Sequence, residues 1–296
     1  MQNKWIVTQA AMNFSVSSIV MLLLNKYIAT VIPYPAFILL LQNVFTIFFL
    51  KIWKTELNLE YKKAVSWAPC VMLFLCNLYS SMKALKYISV PTFSVFRNMQ
   101  PIMSTMFDLL LRQQPTTYDN MICIMIILIG SYIYAWESIN YDAFGYIWTF
   151  FFMISSSLYT IAVKVKIDDT QLNSFEMSYY NNVLSLVPLL CLTMGEKPSD
   201  NFMEVCTDTF TCWLPILISG YGAFFISVAG FQAQEVMTPT TWLVCNNLSK
   251  LPAIMLACML WGMHLTWWQI LGIVVSILGG FLYSMSSQKL LPHQVV

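Results

Sequence analysis

The chain has 296 residues, 58% of them hydrophobic and only 10% charged, with a net charge of +1. A soluble domain of this length carries about 25% charged residues, so this surface faces lipid. With neither a strong charge nor a basic tract, nothing points to nucleic acid as a partner.

Hydrophobic runs long enough to cross a ~30 Å bilayer core fall near residues 5–29, 34–53, 67–86, 90–111, 119–137, 143–163, 174–194, 212–234, 239–261 and 266–286. The expected architecture is therefore an all-α membrane protein of about ten transmembrane helices. The first run starts near Met1 without a cleavage site, so no removable signal or transit peptide is expected. Trp5, Trp53, Trp67, Trp136, Trp148, Trp213, Trp261, Trp267 and Trp268 fall near span ends, as in an interfacial aromatic belt. With both termini placed in the cytosol, Lys4, Lys51, Lys54, Lys62, Lys63, Arg112, Lys164, Lys166 and Lys289 lie in cytosolic segments. Lys197 alone lies in a loop on the opposite side, whereas Lys26, Lys83, Lys86, Arg97 and Lys250 sit in spans or at their ends. The positive-inside rule favours that orientation.

The two halves share one plan. Pro91-Thr92 followed by Asn98 corresponds to Pro239-Thr240 followed by Asn246, and Gly130-Ser131-Tyr132-Ile133-Tyr134 to Gly279-Gly280-Phe281-Leu282-Tyr283. This divides a single transmembrane domain into repeats over 1–140 and 141–296. Five helices per repeat is an odd number, so the second repeat has inverted polarity, a recurring design for secondary transporters with a midplane site. No nucleotide-hydrolysis motif is present, which argues against primary active transport.

Polar residues inside apolar spans mark candidate sites. Asn25-Lys26-Tyr27 closes the first span, Arg97-Asn98 lies in the fourth, Tyr179-Tyr180-Asn181-Asn182 in the seventh and Ser227 in the eighth. The ninth carries Lys250, and a charge near the bilayer centre costs roughly 2.5–3.5 kcal/mol. Asn246 and Asn247 stand four and three residues before it, on the same helical face. One cation and two amides suit an anionic, hydrogen-bonding solute. The structural alternative pairs Lys250 with Glu176 or Glu235. An Asn amide offers donors and acceptors in one plane, matching the edge of guanine and also of uracil, while Tyr180 and Tyr27 can stack on a base or bond a phosphate. Against this, Asn in membrane helices also bonds neighbouring helices, for about 0.6 kcal/mol.

Catalysis and metal binding have little to draw on, so no cofactor is expected. His264 and His293 stand apart, and Asp108, Glu137, Glu176 and Glu235 show no pairing motif. Six of the eight cysteines fall in spans as packing residues, and Cys206 and Cys212 flank a loop where a disulfide would be allowed. The sequons at Asn13 and Asn247 fall inside spans and are not expected to be glycosylated.

These residues resemble a family. Tyr179-Tyr180-Asn181-Asn182 is similar to the FYNN motif of Golgi GDP-sugar transporters, and Asn246-Asn247-Leu248-Ser249-Lys250-Leu251-Pro252 to their GALNK motif followed by Leu-Pro. Lys83-Ala84-Leu85 with Tyr87, Val90-Pro91, Arg97-Asn98 and Asn25-Lys26-Tyr27 extend the similarity along the chain. The resemblance implies the drug/metabolite transporter fold and a nucleotide-sugar transporter closest to those for GDP-mannose. It assigns Asn181 and Asn182 to the nucleotide base, and the polar residues Tyr180, Tyr27 and Ser227 are expected beside them. Lys250, Ser249, Asn246 and Asn247, with Trp242, fall to phosphate and sugar. It further implies exchange of a cytosolic GDP-sugar for lumenal GMP across the Golgi or endoplasmic reticulum membrane, with a homodimer left open. Three departures bear on substrate: Tyr179 replaces Phe, Asn246-Asn247 replace Gly-Ala, and Ser249 replaces Asn. Neighbouring UDP-sugar transporters carry a Tyr-Tyr-Asn run, so a UDP-sugar/UMP antiporter is the first alternative. A sugar-phosphate or drug exporter of the same fold and a polytopic transferase follow.

Overall fold

A computed structural model describes residues 4–32, 34–54, 56–100, 102–103, 106–107, 118–136, 142–170, 172–196, 213–236 and 250–288. Among these residues the regular structure is entirely helical: α1 (Lys4–Val31), α2 (Pro35–Trp53), α3 (Tyr61–Tyr87), α4 (Val90–Arg97), α5 (Tyr118–Trp136), α6 (Ala143–Thr170), α7 (Ser174–Gly195), α8 (Leu214–Val236), α9 (Lys250–Trp261) and α10 (Trp267–Gln288). Six of them, α1, α2, α3, α5, α6 and α8, are long and apolar enough to cross a membrane. Shorter apolar stretches occupy Pro252–Trp261 in α9 and Trp267–Tyr283 in α10. At 22 residues α7 has the length to cross, but Ser178, Tyr179, Tyr180, Asn181 and Asn182 lower its hydropathy.

Local chemistry sets the helix starts. Pro35 stands in the first turn of α2, where its missing N–H removes no hydrogen bond and its fixed φ suits a helix. The Ser89 hydroxyl caps α4 by accepting from the Thr92 N–H at 3.3 Å. A reciprocal capping box opens α7: the Glu176 N–H donates to Asn173 Oδ1 at 3.0 Å, and the Asn173 N–H to Glu176 Oε2 at 2.9 Å. Glu176 is thus engaged at its own helix terminus.

Among the described residues the fourth span expected over 90–111 is interrupted at Asn98 and Met99. At its end α4 tightens into i→i−3 bonds, Asn98 N–H to Val95 O at 3.1 Å and Met99 N–H to Phe96 O at 2.9 Å. Pro101 follows, lacking an N–H and disfavouring helical geometry in the residue before it. The break begins at Asn98, directly after Arg97, so it falls beside one of the polar groups singled out in the sequence.

The helices pack in a pattern with internal symmetry. α5 lies on α10, α2 on α7 and α4 on α9; α3 packs against α6, as α1 does against α8; and α2 meets α8, as α7 meets α3. Exchanging each helix with the one five places away leaves these pairings unchanged. The α5–α10 crossing repeats this at residue level. A Cβ on Gly130 would meet the Ser276 Cα at 2.8 Å, and one on Gly279 would meet the Ile127 N at 2.9 Å. Gly279 and Ser276 each stand 149 residues beyond Gly130 and Ile127. Small residues at such crossings let helix backbones approach closely.

Helix α3 runs through the bundle and gives it a depth scale. Near its start, Trp67 joins Val163, Met177, Tyr180, Phe224 and Phe231 in one apolar cluster. Near its end, Ala84 and Leu85 pack with Phe93, Phe152 and Ala257 in another. Eighteen residues separate Trp67 from Leu85, about 27 Å at 1.5 Å per residue. Trp67, expected in an interfacial belt, is fully buried instead. Of the cysteines expected to pack inside spans, Cys70 and Cys123 are buried, but Cys76 and Cys191 point outward. Cys206 and Cys212 lie outside the described residues.

Candidate substrate site

The polar run of α7 turns inward. Tyr180, Asn181 and Asn182 are 1%, 0% and 3% exposed, and each is held by a different neighbour. The Glu60 N–H donates to Tyr180 Oη at 2.9 Å. Asn181 Oδ1 accepts from the Trp67 indole at 2.7 Å, while its Nδ2 donates to Tyr159 Oη at 2.7 Å. Asn182 Nδ2 donates to the Ser178 carbonyl at 2.7 Å, one turn back in its own helix. The Ser178 and Ser227 hydroxyls are 2.6 Å apart, which brings Ser227 of α8 beside the run. Four helices, α3, α6, α7 and α8, thus converge on one polar centre near the start of α3. Tyr179 lies at its edge, with Lys51 Nζ 4.8 Å from its ring centroid. A phenylalanine would receive the same cation–π contact, so this interaction does not require the tyrosine.

Tyr27 does not join that centre. Its neighbour Lys26 donates to the Leu85 and Ile88 carbonyls at 2.7 and 2.8 Å. Those are the last carbonyls of α3, where a cation meets unpaired acceptors and the negative end of the helix dipole. Tyr27 therefore belongs near the far end of α3, about 27 Å along the helix from Trp67, and no single base can touch both Tyr27 and Asn181 in this conformation. Asn25 is elsewhere again: its Oδ1 accepts from Gln42 Nε2 at 3.0 Å, and the same amide reaches Ser219 Oγ at 3.1 Å.

Lys250 is the first described residue of α9, and its backbone depth follows from its neighbours. Ala257 packs with Phe93, and Ile254 with Val95. Following α9 backward therefore leads along α4 toward its break, and one further turn brings the Lys250 backbone to the depth of Arg97 and Asn98. Arg97 is partly buried there, with its guanidinium 5.7 Å from the Phe152 ring centroid, and Asn98 Nδ2 donates to Ser276 Oγ at 3.3 Å. Trp242, Asn246, Asn247 and Ser249 lie outside the described residues, as do the side chains of Lys250 and Glu235 and all of Asp108 and Glu137.

Sequence reasoning missed Trp67 and Tyr159 as partners of Asn181. A tryptophan near a predicted span end reads as an interfacial anchor, and a tyrosine in an aromatic-rich span carries no signal of its own. It also missed Glu196, whose Oε2 accepts the Ala36 N–H at 3.1 Å. Its Oε1 lies 3.3 Å from Tyr79 Oη and 3.9 Å from Lys83 Nζ.

The sequence profile of the triose-phosphate transporter family matches residues 8–284, nearly the whole chain. The chain belongs to the triose-phosphate transporter family. As a member it is a transporter, and the helices of transmembrane length agree with that. Among its curated relatives, a GDP-mannose transporter of Aspergillus fumigatus is 26% identical over 298 aligned residues, covering 92% of this chain and 78% of that protein. A GDP-mannose transporter of Komagataella pastoris is 25% identical over 94% of this chain and 89% of its own length. A solved crystal structure with 11% identity superposes with a TM-score of 0.61, covering 97% of this chain and 98% of the other, and shares the fold.

Proposed function

We propose that this family member is a Golgi nucleotide-sugar antiporter, exchanging a cytosolic GDP-sugar, GDP-mannose first, for lumenal GMP by alternating access. The observation that carries this reading is a buried Tyr-Tyr-Asn-Asn run at a four-helix junction, in a chain aligned nearly end to end with relatives named GDP-mannose transporters. The exchange symmetry of the helix packing favours two inverted five-helix repeats, over 1–140 and 141–296, and the distribution of basic residues favours cytosolic termini. Asn181 and Asn182, flanked by Tyr180 and Ser227, contact the base. Lys250, at the depth of the α4 break, neutralises phosphate, with Ser249, Asn246, Asn247 and Trp242 toward the sugar. Tyr27 is left out of the base contact because its neighbour Lys26 is tied to the far end of α3. No cofactor takes part. Tyr179 keeps a UDP-sugar/UMP exchange as the second reading, since an Asn amide pairs equally with a uracil edge.

The test is uptake of a panel of radiolabelled GDP- and UDP-sugars into proteoliposomes preloaded with GMP or UMP. GDP-mannose uptake driven by internal GMP, and not by UMP, is the expected result. Uptake driven by UMP alone moves the assignment to UDP-sugars, and uptake indifferent to either nucleotide ends the nucleotide-sugar reading.

A further inference from the structure

We propose that Trp67 and Tyr159 are positioning residues that fix the polarity of the Asn181 amide and thereby the way round a base edge docks. The inference rests on the reading of Asn181 as a base contact. An indole N–H is a donor only, so the amide atom 2.7 Å from Trp67 Nε1 is the oxygen. Nδ2 is then left facing Tyr159 Oη at 2.7 Å, a hydroxyl able to accept. Turning the amide over would set one donor against another at Trp67, whereas the tyrosine hydroxyl tolerates either partner. Trp67 dictates the polarity and Tyr159 secures it.

The geometry leaves the tryptophan no freedom to yield. It is fully buried, packed among Val163, Met177, Tyr180 and Phe231. The two partners stand on α3 and α6, so the amide of α7 is held from both sides. A second bond steadies its backbone, as Ser185 Oγ donates to the Asn181 carbonyl at 2.5 Å.

Counting hydrogen-bonding positions shows what remains for a ligand. An Asn amide has two N–H donors and two oxygen lone pairs; Trp67 takes one lone pair and Tyr159 one N–H. The remaining lone pair and N–H are complementary to the adjacent N–H and C=O of a lactam edge, as in guanine or uracil. With the amide fixed, that edge must present its N–H toward the Trp67 side and its C=O toward the Tyr159 side. Adenine carries the opposite order, with an acceptor ring nitrogen beside an amino donor, and fits only if turned over in the site. An amide free to flip would meet either order with little discrimination. Polarity control of this kind separates bases more sharply than fit of volume.

The experiment uses full-length protein in proteoliposomes and reads inhibition of nucleotide-sugar exchange by AMP and by the better of GMP and UMP. Trp67→Phe keeps an aromatic side chain and removes the donor. It is expected to raise the half-inhibitory concentration of the preferred monophosphate on the order of tenfold, and to narrow its margin over AMP. Tyr159→Phe is expected to shift the margin in the same direction, and it carries the test should Trp67→Phe fail to fold. In an Asn181→Ala background neither substitution should weaken inhibition further, because their shared target is gone. A margin over AMP unchanged in the folded single variants overturns the proposal, as does an equal loss with and without Asn181. If Asn181→Ala itself leaves inhibition unchanged, the base-site reading fails first, an outcome separate from failure of the clamp.

Discussion

Asn181 and Asn182 are neighbours in one motif, yet their surroundings give them different consequences. Removing the Asn181 amide strands the Trp67 indole N–H, and a buried unsatisfied donor costs about 1–3 kcal/mol. Asn182 donates only to a carbonyl of its own helix, so removing its side chain strands no donor on another helix. Asn181→Ala should therefore lower the melting temperature of the purified protein and weaken monophosphate inhibition, whereas Asn182→Ala should weaken inhibition at nearly wild-type stability. Thermal unfolding in detergent beside an inhibition series would separate the two effects. Near-normal inhibition by GMP and UMP in both variants would show that α7 does not read the base. At this scale the sequence marks the candidates well, because asparagines in an apolar span stand out against leucine and phenylalanine. It does not mark their partners: Trp67 and Tyr159 are aromatic residues among many, and only the crossing of α3, α6 and α7 gives them a role. Tyr27 shows the opposite error, a motif residue grouped with Asn181 in one dimension and separated from it by most of the length of α3.

Between helices, the contacts that matter most are those sequence periodicity cannot pair. Glu196, at the end of α7, accepts an N–H from the first turn of α2, where backbone donors have no partner within the helix and a negative charge is favoured. The same carboxylate meets Tyr79 and Lys83 of α3, so one side chain ties three helix ends together. The Lys83 contact is long at 3.9 Å, so the bond to the Ala36 N–H dominates. Glu196→Ala should cost about 1–3 kcal/mol of stability, and Glu196→Gln less, since its amide oxygen still accepts from Ala36. Equal melting temperatures for wild type and Glu196→Ala would mean that water replaces the carboxylate without loss. The glycines of α5 and α10 were legible as matching positions in the two halves, but not as facing a serine and an isoleucine. The α4 break was partly written in the sequence, since Pro101 follows Arg97-Asn98, yet an apolar run of sufficient length outweighs one proline in a hydropathy reading.

For the molecule as a whole, the repeated packing and Lys250 of α9 bear on why the proposed transport would be an exchange. A nucleotide sugar carries about two negative charges on its diphosphate, and a nucleoside monophosphate nearly the same at neutral pH, because its second phosphate pKa is near 6. In the proposed exchange one cationic site therefore accepts either, and each leaves the carrier with the same net charge. In the exchange proposed above, an empty carrier crosses its occluded state without a counter-anion for Lys250, at a cost of roughly 2.5–3.5 kcal/mol for a charge at the membrane centre. A penalty of that size slows the empty carrier on the order of a hundredfold, since about 1.4 kcal/mol is a factor of ten in rate. Uptake of the preferred nucleotide sugar should then be on the order of a hundred times faster into vesicles preloaded with its monophosphate than into empty ones. Lys250→Ala should abolish the preloaded rate for every nucleotide sugar alike, because it removes the countercharge and leaves the base contact in place. Lys250→Arg should restore little of it, as a planar fork does not replace a compact ammonium in a close-packed site. Initial rates from preloaded and empty proteoliposomes, for wild type and both variants, decide the matter. Equal rates for the wild type would mean that the empty carrier turns over freely, with Lys250 neutralised by a carboxylate of the protein itself.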